Sequence, residues 1–240
     1  MRNNVDLEPC FLLHSRKYTD SKNIVSLLTQ NFGLVSAVFR VQKRKSVTQS
    51  LPPFTPFKIS WFGKQTLKTV SDWEVESVMM NLHQNALFCG LYVNELIVRL
   101  VKEGEELVEL FSAYSLAISQ LSYDSLALHQ LEAILRVFEL NLLREIGLEI
   151  SMTLDIKEQP IIDSDAVFYQ YINEQGFQRI ENTSLDPIYR RQAFSGSQIA
   201  NIARQNWTND SLQAAKRLTR LVFAPLLGDK PIKARELFSS

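Results

Sequence analysis

Cysteine is nearly missing from this chain: Cys10 and Cys89 are the only two in 240 residues. Two cannot form a disulfide framework, and free thiols in a reducing, cytoplasmic compartment are the simpler expectation. Histidine is as scarce, with His14, His83 and His129 scattered and neither cysteine beside one. A structural zinc site takes four Cys or His ligands, usually in close pairs. The stretch 150–194 contains neither residue type and cannot hold zinc by itself. There is no glycine-rich phosphate loop, no G-x-S-x-G elbow and no H-E-x-x-H helix, so the case for catalysis is thin. No apolar run approaches the ~18 residues of a membrane span. The segment Met1 to Arg16 carries acidic residues and one short apolar patch, Cys10 to Leu13, so it does not read as a signal peptide. The expectation is a cytoplasmic globular protein that is not an enzyme, holds no metal or cofactor and does not enter a membrane.

What is present is ordinary globular material, 45% apolar and 22% charged, but its charge is segregated. The formal net charge is zero. Between Arg16 and Lys68, however, ten Lys and Arg residues face one acid, Asp20. From Ser77 to Ile150 there are four basic residues against ten acidic ones, and from Asp210 to Ser240 six against three. A phosphate backbone responds to the field within about 10 Å at 0.1 M salt, not to the sum over the chain. The basic N-terminal third is either a nucleic-acid surface or a solubilising one.

The first ~80 residues alternate in the manner of short strands. Candidates are Glu8–Ser15, Ile24–Thr29, Leu34–Val41, Phe57–Phe62 and Leu67–Val75, with Asn31-Phe32-Gly33 a tight link between the second and third. Five such strands suit a small barrel of the OB-fold type, and an SH3-like barrel fits the pattern almost as well. From residue 85 the period becomes helical. Ala86–Val101 is apolar on most faces and reads as a buried central helix, and apolar stripes follow over Leu107–Leu121 and Leu128–Leu142, the latter ended by Gly147. Residues 150–194 read as an irregular insertion. Ser195-Gly-Ser-Gln198 has capping-box spacing, and a last helix runs from Asp210 to Ala224, stopped by Pro225. The fold class is α+β: a β domain over 1–80, then a helical domain over 81–240.

Single-strand binders combine cations that follow phosphates with aromatic faces for bases. The N-terminal segment supplies Arg16, Lys17, Arg40, Lys43, Arg44, Lys45, Lys64 and Lys68 for the first role. Tyr18, Phe39, Trp61 and Phe62 are available for the second. Trp61 alternates with Phe57 and Ile59, which favours core, and Phe62 on the opposite face is the better stacking candidate. The Lys43-Arg44-Lys45 run falls in a polar loop at the barrel rim. On the last helix, Lys216, Arg217 and Arg220 either extend a DNA track or pair with the acidic helices. Asp163-x-Asp165 is a solvated turn or, less simply, a cation site.

Six stretches of this chain together resemble the bacterial recombination mediator family RecO. They are F-L-L-H-S-R (Phe11–Arg16), L-x-P-F-T-P (Leu51–Pro56), G-L-Y-x-N-E-L (Gly90–Leu96), L-R-x-F-E-L-x-L-L (Leu135–Leu143), A-A-K-R-x-T-R (Ala214–Arg220) and G-D-K-P-I-K-A-R-E-L-F (Gly228–Phe238). The resemblance spans essentially the whole chain. It implies an N-terminal OB-fold, a helical domain, binding of single- and double-stranded DNA at the nucleoid, and annealing of complementary strands. It further implies work with RecR and RecF in displacing the single-strand-binding protein so that RecA can load. Many members carry a four-cysteine zinc site after the helical bundle, and this sequence departs from that pattern toward a zinc-free branch. The resemblance also implies docking of the acidic, Phe-ended tail of the single-strand-binding protein, with Arg136 matching the expected cation. An ion pair of Arg136 with Glu132 or Glu139 is the alternative. Two other classes stay open: an adaptor whose basic barrel binds an acidic protein surface, and a metal-dependent nuclease using carboxylates such as Asp163 and Asp165.

Overall fold

The computed structural model describes residues 4–41, 43–44, 47–48, 51–75, 80–180 and 193–237, the backbone alone at 43–44 and 47–48. Five strands close a barrel: β1 (Asn4–Thr19), β2 (Lys22–Thr29), β3 (Gly33–Arg40), β6 (Phe57–Phe62) and β7 (Lys68–Glu74). They run in the order β1-β2-β3-β7-β6, which is the OB-like arrangement. All neighbours are antiparallel except β3 and β7, which pair in parallel. The two-residue strands β4 (Lys43–Arg44) and β5 (Val47–Thr48) pair with each other in the connection between β3 and β6. Alternate residues point inward, so Cys10, Leu27, Ala37, Phe57, Ile59 and Trp61 share one core. β1 is twice as long as its apolar stretch suggests. Its ends carry polar residues, and a bulge between Val5 and Glu8, with Leu7 at φ +50°, breaks the alternation.

The chain forms two compact units: residues 1–126 together with 231–240, and residues 127–230. The first unit holds the barrel and the helices α1 (Gln84–Leu100) and α2 (Val108–Leu121). Asn94 of α1 donates from Nδ2 to the Leu13 carbonyl oxygen, and Gly90 lies where a Cβ would come within 2.8 Å of the Phe54 ring. The loop after α1 adds to the barrel wall. The Gly104 N–H donates to the Leu34 carbonyl oxygen at 3.0 Å, and the Ser36 hydroxyl bonds Glu103. Gly33, at φ +61°, must be glycine there, since a Cβ would sit 1.7 Å from the Glu105 carbonyl oxygen. The chain end returns to this unit as a short helix over Lys233–Glu236, whose first N–H groups are accepted by Glu95.

The second unit contains α3 (Leu128–Glu145), α4 (Gly196–Ala203) and α5 (Asn209–Leu227); the terminal helix of the first unit is α6. The stretch read as an irregular insertion carries regular structure: β8 (Phe168–Ile172), β9 (Gly176–Arg179) and β10 (Phe194–Ser195) form a sheet in the order β10-β8-β9. Tyr169, Phe177 and Phe194 from this sheet share a core with Ile199, Ala214 and Leu218. Ser195 and Gln198 form the expected reciprocal cap, with Oγ accepting from Gln198 N at 3.1 Å and Oε1 accepting from Ser195 N at 3.0 Å. Pro225 does not stop the last helix. It lies in the final turn, gives up the N–H that would bond the Leu221 carbonyl oxygen, and leaves the helix only two further residues before its end at Gly228 with φ +59°.

Candidate nucleic-acid interface

The strand register places the exposed cations of the barrel. Arg16 pairs with Ile24, Ile24 with Val38, Val38 with Thr69, and Thr69 with Phe62. Laterally paired residues project from the same face of a sheet. Ala37 and Phe39, on either side of Val38, belong to the core. The row from Arg16 to Phe62 therefore lies on the outer wall, over four strand spacings, or roughly 19 Å around the barrel. In the adjacent outward row Lys22 pairs with Arg40. Arg16, Lys22, Arg40 and Phe62 are all exposed, Phe62 at 36%. One wall thus carries three guanidinium or ammonium groups and an accessible phenyl ring.

The remaining barrel residues divide. Lys17 pairs with Asn23, whose other partner is Phe39, so it projects from the opposite face, where it makes a solvated ion pair with Asp20 at 2.7 Å. Tyr18 beside it is 58% exposed. Trp61 and Phe39 are core. Lys43 and Arg44 form β4, and Lys45 lies outside the described residues. Lys64 and Lys68 line a groove of about 370 Å³ bounded by the β6–β7 loop, Phe32 and the loop after α1. Lys68 Nζ donates to the Gly63 carbonyl oxygen at 3.4 Å.

In the second unit the candidate cations Arg136, Lys216 and Arg217 are engaged within the fold. Arg136 is 6% exposed at its side chain; Nη2 donates to Glu139 at 2.7 Å and Nη1 to Thr219 Oγ1 at 3.3 Å. The ion pair with Glu139 is thus the alternative the geometry displays, while Glu132 pairs with Lys216 at 2.7 Å. Arg217 donates to the Ala193 carbonyl oxygen at 2.7 Å and lies 4.3 Å over the Phe194 ring. Burial pulls its guanidinium below the ordinary arginine value, against an opposing pull from Asp210. Arg220 is exposed. Lys216 and Arg217 therefore brace α5 while partly exposed, and Arg220 is the exposed one of the three. Asp163 accepts from Arg204 at 2.9 Å, and no group of three or more Cys, His, Asp or Glu residues suited to a metal ion gathers among the described residues.

Two residues of this surface escape local sequence reasoning. Lys22 sits at a hairpin turn, and its place beside Arg40 comes only from the β2–β3 register. Phe32, 39% exposed in a tight link, packs edge-on against Trp61 with ring centroids 5.4 Å apart. An aromatic residue in a turn that needs only polar residues was the available signal.

Comparison with known proteins agrees with this architecture. The family model described as Recombination protein O N terminal matches residues 4–79, and Recombination protein O C terminal matches residues 84–236. The protein named DNA repair protein RecO from Coxiella burnetii (strain RSA 331 / Henzerling II) is 35% identical over 240 residues, covering 99% of each chain. That from Cellvibrio japonicus (strain Ueda107) is 36% identical over 241 residues, covering 98% of this chain and 97% of its own. That from Tolumonas auensis (strain DSM 9187 / NBRC 110442 / TA 4) is 37% identical over 238 residues, covering 98% of this chain and 95% of its own. A barrel with a basic outer wall, two matching family models and full-length likeness to these relatives together establish that the chain belongs to the RecO family of DNA repair proteins.

Proposed function

We propose that this protein is a non-catalytic recombination mediator. It binds single- and double-stranded DNA, anneals complementary strands and, with RecR and RecF, helps load RecA onto DNA covered by single-strand-binding protein. The observation that carries the DNA-binding part is the outward cluster Arg16, Lys22 and Arg40 with Phe62 around the same wall. Cations at strand spacing neutralise successive phosphates, and an exposed ring gives a base something to stack on without reading its identity. Annealing needs no reacting group. It needs two strands held with reduced mutual repulsion and their base edges free. Lys43, Arg44 and Lys45 join these cations in this reading as the basic run between β3 and β6, Lys64 and Lys68 add charge at the groove by the β6–β7 loop, and Arg220 has a smaller part on the second unit.

The partner-docking role falls to the second unit, with Arg136 as cation for the acidic tail of the single-strand-binding protein. A tail carboxylate there must compete with Glu139 for the guanidinium, so this contact is an exchange of partners. The test is annealing of complementary oligonucleotides by wild type and by the Arg16→Ala/Lys22→Ala/Arg40→Ala variant. Annealing should slow by tenfold or more in the variant while melting is unchanged. An unchanged annealing rate would remove the outer wall from the account.

A further inference from the structure

The groove beside the barrel wall has a chemistry that a general phosphate surface does not need. Its floor is formed by Trp61 and Val35, and Phe32 stands at its edge with its ring partly in water. The β6–β7 loop contributes Lys64 and the start of β7 Lys68, whereas the loop after α1 contributes Glu103 and Glu106. Carboxylates on a DNA-binding barrel repel phosphates, so their place in the groove calls for something else that they accept. The exocyclic amino groups of cytosine and adenine are hydrogen-bond donors that carboxylates accept, and thymine has no such group. The cavity, about 370 Å³, falls in the size range of small-ligand pockets.

The geometry points to a single-nucleotide pocket in this groove: one unstacked base of a bound strand rests on Phe32, its phosphate meets Lys64 and Lys68, and its amino group is accepted by Glu106. The inference rests on the proposed DNA binding and adds to it a base preference. Glu103 serves the frame, because it already accepts from Ser36 and lies beside the backbone joint to Leu34. Glu106 is exposed and carries no such structural bond among those described. Lys68 keeps two further N–H donors beyond the one directed at Gly63. The α1–α2 loop is fixed against β3 through Gly104 and the glycine-only position at Gly33, so the carboxylate wall is pre-positioned.

The experiment measures binding of equal-length oligo(dC) and oligo(dT) to the full chain at neutral pH and fixed salt. Wild type should prefer oligo(dC) by about tenfold, the discrimination of one modest amino-group contact. Glu106→Ala should raise the affinity for oligo(dT) by relieving repulsion and remove the contact to the cytosine amino group, so the ratio should fall to near one. Lys64→Ala should weaken both equally and leave the ratio in place. Phe32→Leu, which keeps an apolar cover over Trp61, should weaken both without unfolding the barrel. Free dCMP at oligonucleotide concentrations should not compete; competition at equal concentration would assign the groove to free nucleotides and overturn the strand reading. A wild-type ratio of one with DNA binding intact, or a ratio untouched by Glu106→Ala, would overturn the pocket alone. Absence of binding to either strand would overturn the DNA reading together with it.

Discussion

Asn94 on α1 donates from Nδ2 to the main-chain oxygen of Leu13 on β1 at 2.9 Å, in a site closed to water. Its Oδ1 accepts from the Tyr114 hydroxyl of α2 at 2.7 Å, so one amide joins barrel, first helix and second helix. Burial drives the Tyr114 phenol far above its ordinary value, with the hydrogen bond to Asn94 opposing, and it stays a donor at any working pH. Asn94→Leu leaves a buried carbonyl and a buried hydroxyl without this partner and should cost about 2–4 kcal/mol. Tyr114→Phe should cost about 1–2 kcal/mol. Denaturant melts check both, and a loss under 0.5 kcal/mol for Asn94→Leu would mean that water or another group fills the joint.

Glu95, the next residue, fastens the chain end. Its two oxygens accept the N–H groups of Lys233 and Ala234, each at 3.0 Å, while Arg235 bonds the Tyr92 hydroxyl at 3.2 Å. A carboxylate on the first N–H groups of a helix is a charge-assisted cap. Glu95→Ala should cost about 1–2 kcal/mol and speed amide hydrogen exchange over residues 232–236. Exchange there as slow as in wild type would contradict the capping role.

The thiols should be silent in the native protein. Cys10 and Cys89 are buried, and burial, reinforced by the nearby Glu8 charge, pushes the Cys10 thiol well above its ordinary value. An acid whose native pKa is raised favours the folded state while protonated. That contribution is complete below the unfolded thiol value of about 8.5 and is lost as pH rises above it. Titration with a thiol reagent should find neither cysteine at neutral pH and both in denaturant, with stability falling on the alkaline side. Rapid native labelling of Cys10 would contradict the barrel core.

Much of this could be read from the chain because burial leaves a period. Phe57, Ile59 and Trp61 alternate with polar or exposed neighbours, and the long helices carry apolar residues at helical spacing, so strands and helices show themselves. The ends of β1 do not, since they project beyond the core where no burial imposes a pattern. The sheet at 168–195 was hidden for a related reason. Its strands are two to five residues long, too short for a period, and its core is completed by α4 and α5 from later in the chain. The six stretches that carried the family resemblance turn out to touch one another: Gly90 with Phe54, Asn94 with Leu13, Glu95 with Lys233, and Arg136 with Thr219. They are joints of the frame. The candidate interface is legible only in part, because Lys22 beside Arg40, and Glu106 and Lys64 on one groove, are placements set by strand register and loop path, not by local spacing.

Phe62 and Trp61 are neighbours with opposite jobs, and substitution should separate them. Phe62→Ala on the outer wall should weaken single-strand binding by about 1–3 kcal/mol and leave stability within about 0.5 kcal/mol. Trp61→Ala in the core should cost about 3–5 kcal/mol of stability. Paired melts and binding curves check this; unchanged DNA affinity in Phe62→Ala would take base stacking off this wall.

The central claim, that the outer wall of the barrel grips phosphates, is tested most directly by the salt dependence of single-strand binding. The logarithm of affinity against the logarithm of salt should be linear in wild type. In the Arg16→Ala/Lys22→Ala/Arg40→Ala variant the slope should flatten by about two units, since each phosphate contact on a single strand contributes about −0.7. A slope that stays the same in the folded variant would contradict the claim and move the DNA to another surface of the protein.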